Sequence, residues 1–161
     1  MLLVVLLSGC AGYQVGPSTV QRAGDRTVQV VPFTNRTLEP RLSDAVTAAL
    51  RQEIQREGTY KLVTQAPGDV VVSGEITHFL RGEISFVPTD VITARDYQLS
   101  FTAHVVARDR LTGKILLERD LTGTTLMRVG PDLPSVERQS LPPLATDLAR
   151  KITAALADGD W

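Results

Sequence analysis

Two runs of strict alternation, joined to a third by a tight turn, constrain this chain more than any other feature. Val70, Val72, Gly74, Ile76, His78 and Leu80 alternate with Val71, Ser73, Glu75, Thr77, Phe79 and Arg81. A second alternation sets Tyr97, Leu99, Phe101, Ala103, Val105 and Ala107 against Gln98, Ser100, Thr102, His104, Val106 and Arg108. A period of two puts one set on each side of a strand. The first strand is free to run on to Phe86 before Pro88 stops it. Leu111-Thr112-Gly113-Lys114 is a tight connection in which Gly113 can take a positive φ, so Ile115 to Leu126 returns as the partner strand. Three long antiparallel strands in a meander follow. His78 shares the apolar phase, which predicts a hydrogen-bonded, partly buried histidine.

On either side the period changes. Between Glu39 and Glu57, Leu42, Ala45, Val46, Ala49, Leu50 and Ile54 recur at three- and four-residue spacing, the signature of one helix face. Pro40 suits the first turn and Gly58 sits where a C-cap is expected. Near the carboxyl end, Leu141, Leu144, Leu148, Ile152 and Leu156 form a second stripe, helped by Ala145, Ala149 and Ala155. Ser140 is placed to cap that helix, with prolines confined to its first turn, and Val129 to Gln139 reads as a loop. Thr27 to Phe33 is a strand with Pro32 at its end or on an edge, and Thr34 to Thr37 is turn chemistry. Tyr60 to Thr64 is a short strand. Two amphipathic helices and a mostly antiparallel sheet predict an α+β fold. It is a two-layer sandwich over residues 27–158 with both helices on one face.

Composition removes several classes of function. The 161 residues carry 17 basic and 18 acidic side chains, a net charge of -1, which gives no global drive toward nucleic acid. One cysteine excludes an intrachain disulfide framework and a cysteine-rich zinc site, and two distant histidines offer little for a metal. No Gly-x-Ser-x-Gly elbow is present, and Gly123 and Gly130 lack the surroundings of a phosphate-binding loop. No catalytic activity, metal or cofactor is expected. An enzyme acting on envelope polymers would instead need Glu75 or Glu83 to converge with Asp96 in a cleft.

The single cysteine sits in an informative place. Leu2 to Leu7 is an unbroken apolar run followed by Ser8, Gly9 and Cys10. An apolar stretch ending in small residues reads as a secretion signal, and it is far shorter than the roughly 20 residues a spanning helix takes. No basic residue precedes it, so residues 1–9 read as a signal peptide shortened upstream. Leu7-Ser8-Gly9-Cys10 resembles the bacterial lipobox, in which the thiol is acylated and the preceding peptide bond is cut. The bland alternative is a buried strand with a free thiol. Two or three fatty chains on Cys10, palmitate among them, would hold the protein on a membrane durably, which a single chain does not. Residue 11 is Ala rather than Asp, which by resemblance to proteobacterial lipoproteins favours the outer membrane. Gly12, Gly16, Pro17 and Ser18 make residues 10–26 a lipidated cysteine and tether.

Gly12-Tyr13-Gln14-Val15 directly after that cysteine resembles the start of mature LptE-family proteins, the lipopolysaccharide-assembly lipoproteins. Val30-Val31-Pro32-Phe33-Thr34-Asn35-Arg36-Thr37 before an amphipathic helix is similar to a run in divergent members. Asp69 to Ile76 and the hairpin Asp109-Arg110-Leu111-Thr112-Gly113-Lys114 fit the family's later strands. The resemblance implies a noncatalytic lipoprotein facing the periplasm, plugged inside the lumen of an LptD-like outer-membrane β-barrel. There it helps the barrel fold and contacts lipopolysaccharide. The rival is a binding module of another secretion or trafficking complex in the envelope. Basic residues serve lipopolysaccharide contact in the family. Arginine, 14 of the 17 basic residues here, can fork two hydrogen bonds onto one lipid phosphate. Arg81, Arg95, Arg108, Arg110 and Arg128, on strands or hairpin ends, are the candidates, against the plainer reading of solvated surface charges.

Overall fold

The computed structural model describes residues 25–87, 90–128 and 133–159; the side chains of 85–87, 90–95 and 133 fall outside the description. The elements in chain order are β1 (Thr27–Val30), β2 (Thr34–Asn35), α1 (Leu42–Glu57), β3 (Lys61–Val63) and β4 (Val70–Val87). β5 (Asp90–Asp109), β6 (Ile115–Arg128) and α2 (Leu133–Ala157) follow. The sheet is open and runs β3-β1-β4-β5-β6, with β2 also on β4. β4, β5 and β6 form the antiparallel meander and supply most of the pairing. The short strands pair in parallel, β1 with both β3 and β4, and β2 with β4, so the sheet is mixed. α1 packs on the β1–β3 side, α2 on β5 and β6, and the helices pack on each other over one face.

The core follows the expected periods. Val28, Val30, Val70, Val72, Ile76, Leu99, Phe101, Ala103, Val105 and Ala107 are buried from the sheet. Leu42, Val46, Leu50 and Ile54 bury from α1, and Leu141, Leu144, Leu148, Ile152 and Leu156 from α2. Gly74 lies on the core side because Phe33 occupies its place. A Cβ there would fall 2.7 Å from Phe33 Cδ1 and 2.8 Å from Cζ. Phe33 is 2% exposed, and its backbone N–H donates to Thr47 Oγ1 at 3.2 Å. At Gly123 a Cβ would stand 2.8 Å from the Leu144 carbonyl oxygen, so α2 lies against the backbone of β6. α1 ends at Gly58, whose φ of 84° lets its N–H reach the Ile54 carbonyl.

Three expectations are corrected. First, α2 starts at Leu133, so Ser140 is no cap; its hydroxyl donates to the Val136 carbonyl at 2.9 Å. Pro142 and Pro143 stand inside the helix on its exposed side. The carbonyls they leave without donors belong to Arg138 and Gln139, also exposed and so open to solvent. Second, α1 starts at Leu42 rather than Glu39. Asn35 orders the turn before it, accepting from Thr37 N–H at 2.9 Å and donating to the Glu39 carbonyl at 2.8 Å. Third, a β-bulge between Ile76 and His78 reverses the phase of β4. His78 is therefore exposed, its Nδ1 2.9 Å from Thr77 Oγ1, while Phe79 packs against the core.

Candidate functional site

The bulge at Thr77 creates the most structured surface feature. After it, Phe79 lies opposite Phe101 and Arg81 opposite Leu99, so Arg81 projects to the helix side. There it forms an ion pair with Glu137 of α2. The turn after β2 runs alongside, with Arg36 paired to Glu75. Between this turn and β4 lies a groove of about 490 Å³, lined by Arg36, Leu38, Glu39, His78, Leu80, Arg81 and Glu137 among others. Burial pushes the Glu39 carboxyl above its ordinary value. The nearby Glu137 charge adds to this, and Arg81 partly offsets it. Leu38 and Leu80 stand 102% and 64% exposed at the groove, unusual for leucine.

The opposite end of the meander is held by carboxylates. Asp69 accepts from Thr27 N–H at 3.0 Å and Thr27 Oγ1 at 2.7 Å, and these bonds hold its pKa below the usual value. Asp109 folds the β5–β6 turn by accepting from Thr112 N–H at 2.8 Å and Leu111 N–H at 3.1 Å, and its carboxyl is likewise lowered, chiefly by Thr112. Arg26 closes on Asp109 at 2.7 Å.

The five candidate arginines divide between these ends. Arg108 donates to the Gly113 carbonyl and Arg110 to the Gly68 carbonyl, each at 3.0 Å, beside the β5–β6 turn. Arg81 and Arg128 lie toward the far end, and on opposite faces: Arg128 Nε donates to Asp96 Oδ1 at 2.9 Å on the helix-free side. Arg95 belongs to β5, and its side chain falls outside the described residues, as does Cys10 altogether. About ten residues of strand, on the order of 33 Å, separate the two ends, so no single phosphate group can meet both pairs. Glu75, Glu83 and Asp96 do not converge either: Asp96 lies on the helix-free face, Glu83 opposite Tyr97 on the helix side, and Glu75 is taken by Arg36. Glu39, Glu137 and the exposed leucines carry no sequence signal, because the bulge that gathers them around Arg81 is not written in the alternation.

The helix-free face is polar at its centre, with the exposed Leu80 and Leu126 toward one end. Thr102 Oγ1 and Thr122 Oγ1 lie 2.8 Å apart, with Ser73 and Ser100 on the same face. His104 Nδ1 sits 2.7 Å from Asp120 Oδ1 and its Nε2 3.5 Å from Glu118; the Asp120 hydrogen bond, foremost, raises the imidazole pKa. Among the described residues no group of three or more His, Cys, Asp or Glu side chains gathers to hold a metal, and no helix is long and apolar enough to cross a membrane.

The two-layer α+β sandwich is shared with solved bacterial proteins. A hypothetical protein of Chlamydia trachomatis is 13% identical, with TM-score 0.59, over 84% of this chain and 96% of its own. A minor lipoprotein of Acinetobacter baumannii is 14% identical, with TM-score 0.52, over 81% and 92%. The PelC dodecamer of Paraburkholderia phytofirmans is 20% identical, with TM-score 0.51, over 84% and 88%. No curated protein matches by sequence. The lipopolysaccharide-assembly family model, LptE, matches residues 26–156, and the chain belongs to that family.

Proposed function

We propose that this chain is a noncatalytic lipoprotein of the outer membrane, held there by fatty chains on Cys10. It faces the periplasm and acts as plug and assembly partner of an LptD-like barrel in lipopolysaccharide export. The observation that carries the reading is the family match over residues 26–156, which covers the whole sandwich. The helix-free face supports it physically. Barrel interiors are polar and wet, and this face offers short hydroxyl side chains that lose little rotamer freedom on contact. The five arginines remain the proposed contacts for lipid phosphates, and Arg128, with its side chain 71% exposed, can exchange Asp96 for phosphate most readily. Arg81, Arg108 and Arg110 would first have to leave partners that order a helix contact or a turn. Pull-down of the native protein from detergent-solubilised outer membranes tests the reading. An LptD-like barrel should be recovered. Recovery of no barrel, with unchanged surface lipopolysaccharide after depletion, would contradict it, and recovery of a secretion or trafficking complex would favour the rival.

A further inference from the structure

β4 has one edge that nothing in the fold explains. β1 pairs with it at Val70 to Val72 and β2 at Glu75 and Ile76. From Thr77 to Ile84 only β5 pairs with it among the described residues. The opposite edge of the sheet is treated differently. There Asp147 accepts from Thr124 N–H at 2.8 Å and Lys151 donates to the Thr122 carbonyl at 2.7 Å, so side chains of α2 meet two backbone groups at the edge of β6. The register of β4 on β5, carried past the bulge, points the backbone groups of Phe79, Arg81 and Glu83 to the open side.

Gly82 lies in the middle of this stretch, and the chain itself does not require a glycine there. Its φ is not positive, and a Cβ would meet only the Gln98 carbonyl oxygen, at 3.9 Å. A glycine inside a strand often marks a bulge, such as the one that follows Glu83, or a place where another backbone comes close. The flanking residues say which backbone. An antiparallel copy of β4 centred on Gly82 sets Arg81 opposite Glu83 of the second copy, and Glu83 opposite its Arg81. The same register sets Leu80, 64% exposed, opposite Ile84, 50% exposed, in both directions. Arg81 and Glu83 lie in a backbone-bonded phase and Gly82 in the close, non-bonded phase, as an antiparallel pair demands. The groove runs beside β4 from Thr77 to Arg81, between that strand and the Arg36 to Glu39 turn. A slip of two residues, which moves the two-fold axis from Gly82 to position 81 or 83, would put Arg81 against Arg81 or Glu83 against Glu83, so the charges oppose those registers. The second bulge, at Ile84, ends the paired stretch.

We infer that two copies of this chain pair edge to edge through β4, antiparallel, with Gly82 on the two-fold axis and Arg81 facing Glu83 across it. The contact is short, so in solution it is weak, with a dissociation constant on the order of 0.1 mM. A shared membrane surface would raise the effective concentration of such copies and favour it. The pairing concerns copies not seated in a barrel, because a chain enclosed in a lumen cannot meet a second copy along β4, and its test is separate from that of the barrel reading.

The test uses the whole chain with Cys10→Ser, so that an introduced thiol is the sole one. Directly opposed non-bonded positions place their Cβ atoms about 4.5–5.5 Å apart, within reach of a disulfide after small adjustment. Gly82→Cys should oxidise to a covalent dimer about tenfold faster than Leu111→Cys on the exposed distant turn. Glu83→Arg should slow that reaction about tenfold, and adding Arg81→Glu should restore it. Glu83 is exposed, so its substitution leaves folding intact, which thermal unfolding verifies. Equal rates at positions 82 and 111, or a rate indifferent to Glu83→Arg, would overturn the inference. A Gly82→Cys thiol that stays monomeric and shielded from maleimide would mean another segment lies along this edge of β4, and would overturn it too.

Discussion

Replacing Gly74 by alanine should destabilise the fold through one aromatic ring. In an ordinary strand the change is favourable by about 0.5–1 kcal/mol, since alanine has less backbone freedom to lose. Here the new methyl would stand 2.7 and 2.8 Å from two carbons of Phe33, a ring 2% exposed and walled in by the core. Either the ring swings out, at up to the roughly 3–5 kcal/mol that losing a buried phenylalanine costs, or β4 shifts, at about 1–3 kcal/mol for overpacking. We expect a net loss of about 2–3 kcal/mol in urea unfolding. The decisive assay is the double-mutant cycle. With Phe33→Ala already present, Gly74→Ala should cost nothing or stabilise by about 0.5 kcal/mol, a coupling of about 2 kcal/mol or more. Additive effects, with Gly74→Ala equally harmful in both backgrounds, would refute the account of why residue 74 is glycine and of how β2 is docked.

Gly123→Ala should cost about 2 kcal/mol in the same assay, because its methyl meets the Leu144 carbonyl of a helix backbone that cannot rotate away. His104 should titrate above the usual imidazole range in NMR, and Asp120→Asn should return it toward that range. Its contribution to stability is present below the unfolded pKa and is lost as pH rises through the raised folded value. Glu39, whose carboxyl is raised by burial, has the same sign. Glu39→Gln should leave the unfolding midpoint unchanged in acid and raise it at neutral pH. Asp69 runs the other way, its stabilisation present above the ordinary carboxyl value and lost as pH falls through the depressed one, so Asp69→Asn should lower the midpoint at neutral pH and matter little in strong acid.

The meander and both helices were legible because burial on one face imposes a period, and that period survives in Val70 to Ile76, in Tyr97 to Ala107 and in both leucine stripes. What was not legible had no periodic trace. A bulge adds one residue and reverses every side chain after it, which is why His78 and Arg81 exchanged the roles their spacing predicted. The parallel pairing of β1 with β3 and β4 leaves no mark in strands of three or four residues. The first turns of α2 are hidden in the sequence because two prolines usually end a helix, and here they sit on the exposed side, where solvent can reach the abandoned carbonyls. Residue type and position near strand ends make all five candidate arginines look alike. Only the fold could separate Arg108 and Arg110, which brace one turn, from Arg81 and Arg128 at the far end.

Photocrosslinking in the native envelope bears most directly on the central claim. A crosslinking amino acid at Thr102, in the middle of the helix-free face, or at Lys114, on the β5–β6 turn, reports what that surface touches. Covalent capture of an LptD-like outer-membrane barrel from both positions is the predicted result. Capture of a secretion or trafficking component instead, or of no barrel from either position in membranes where that barrel is present, would contradict it.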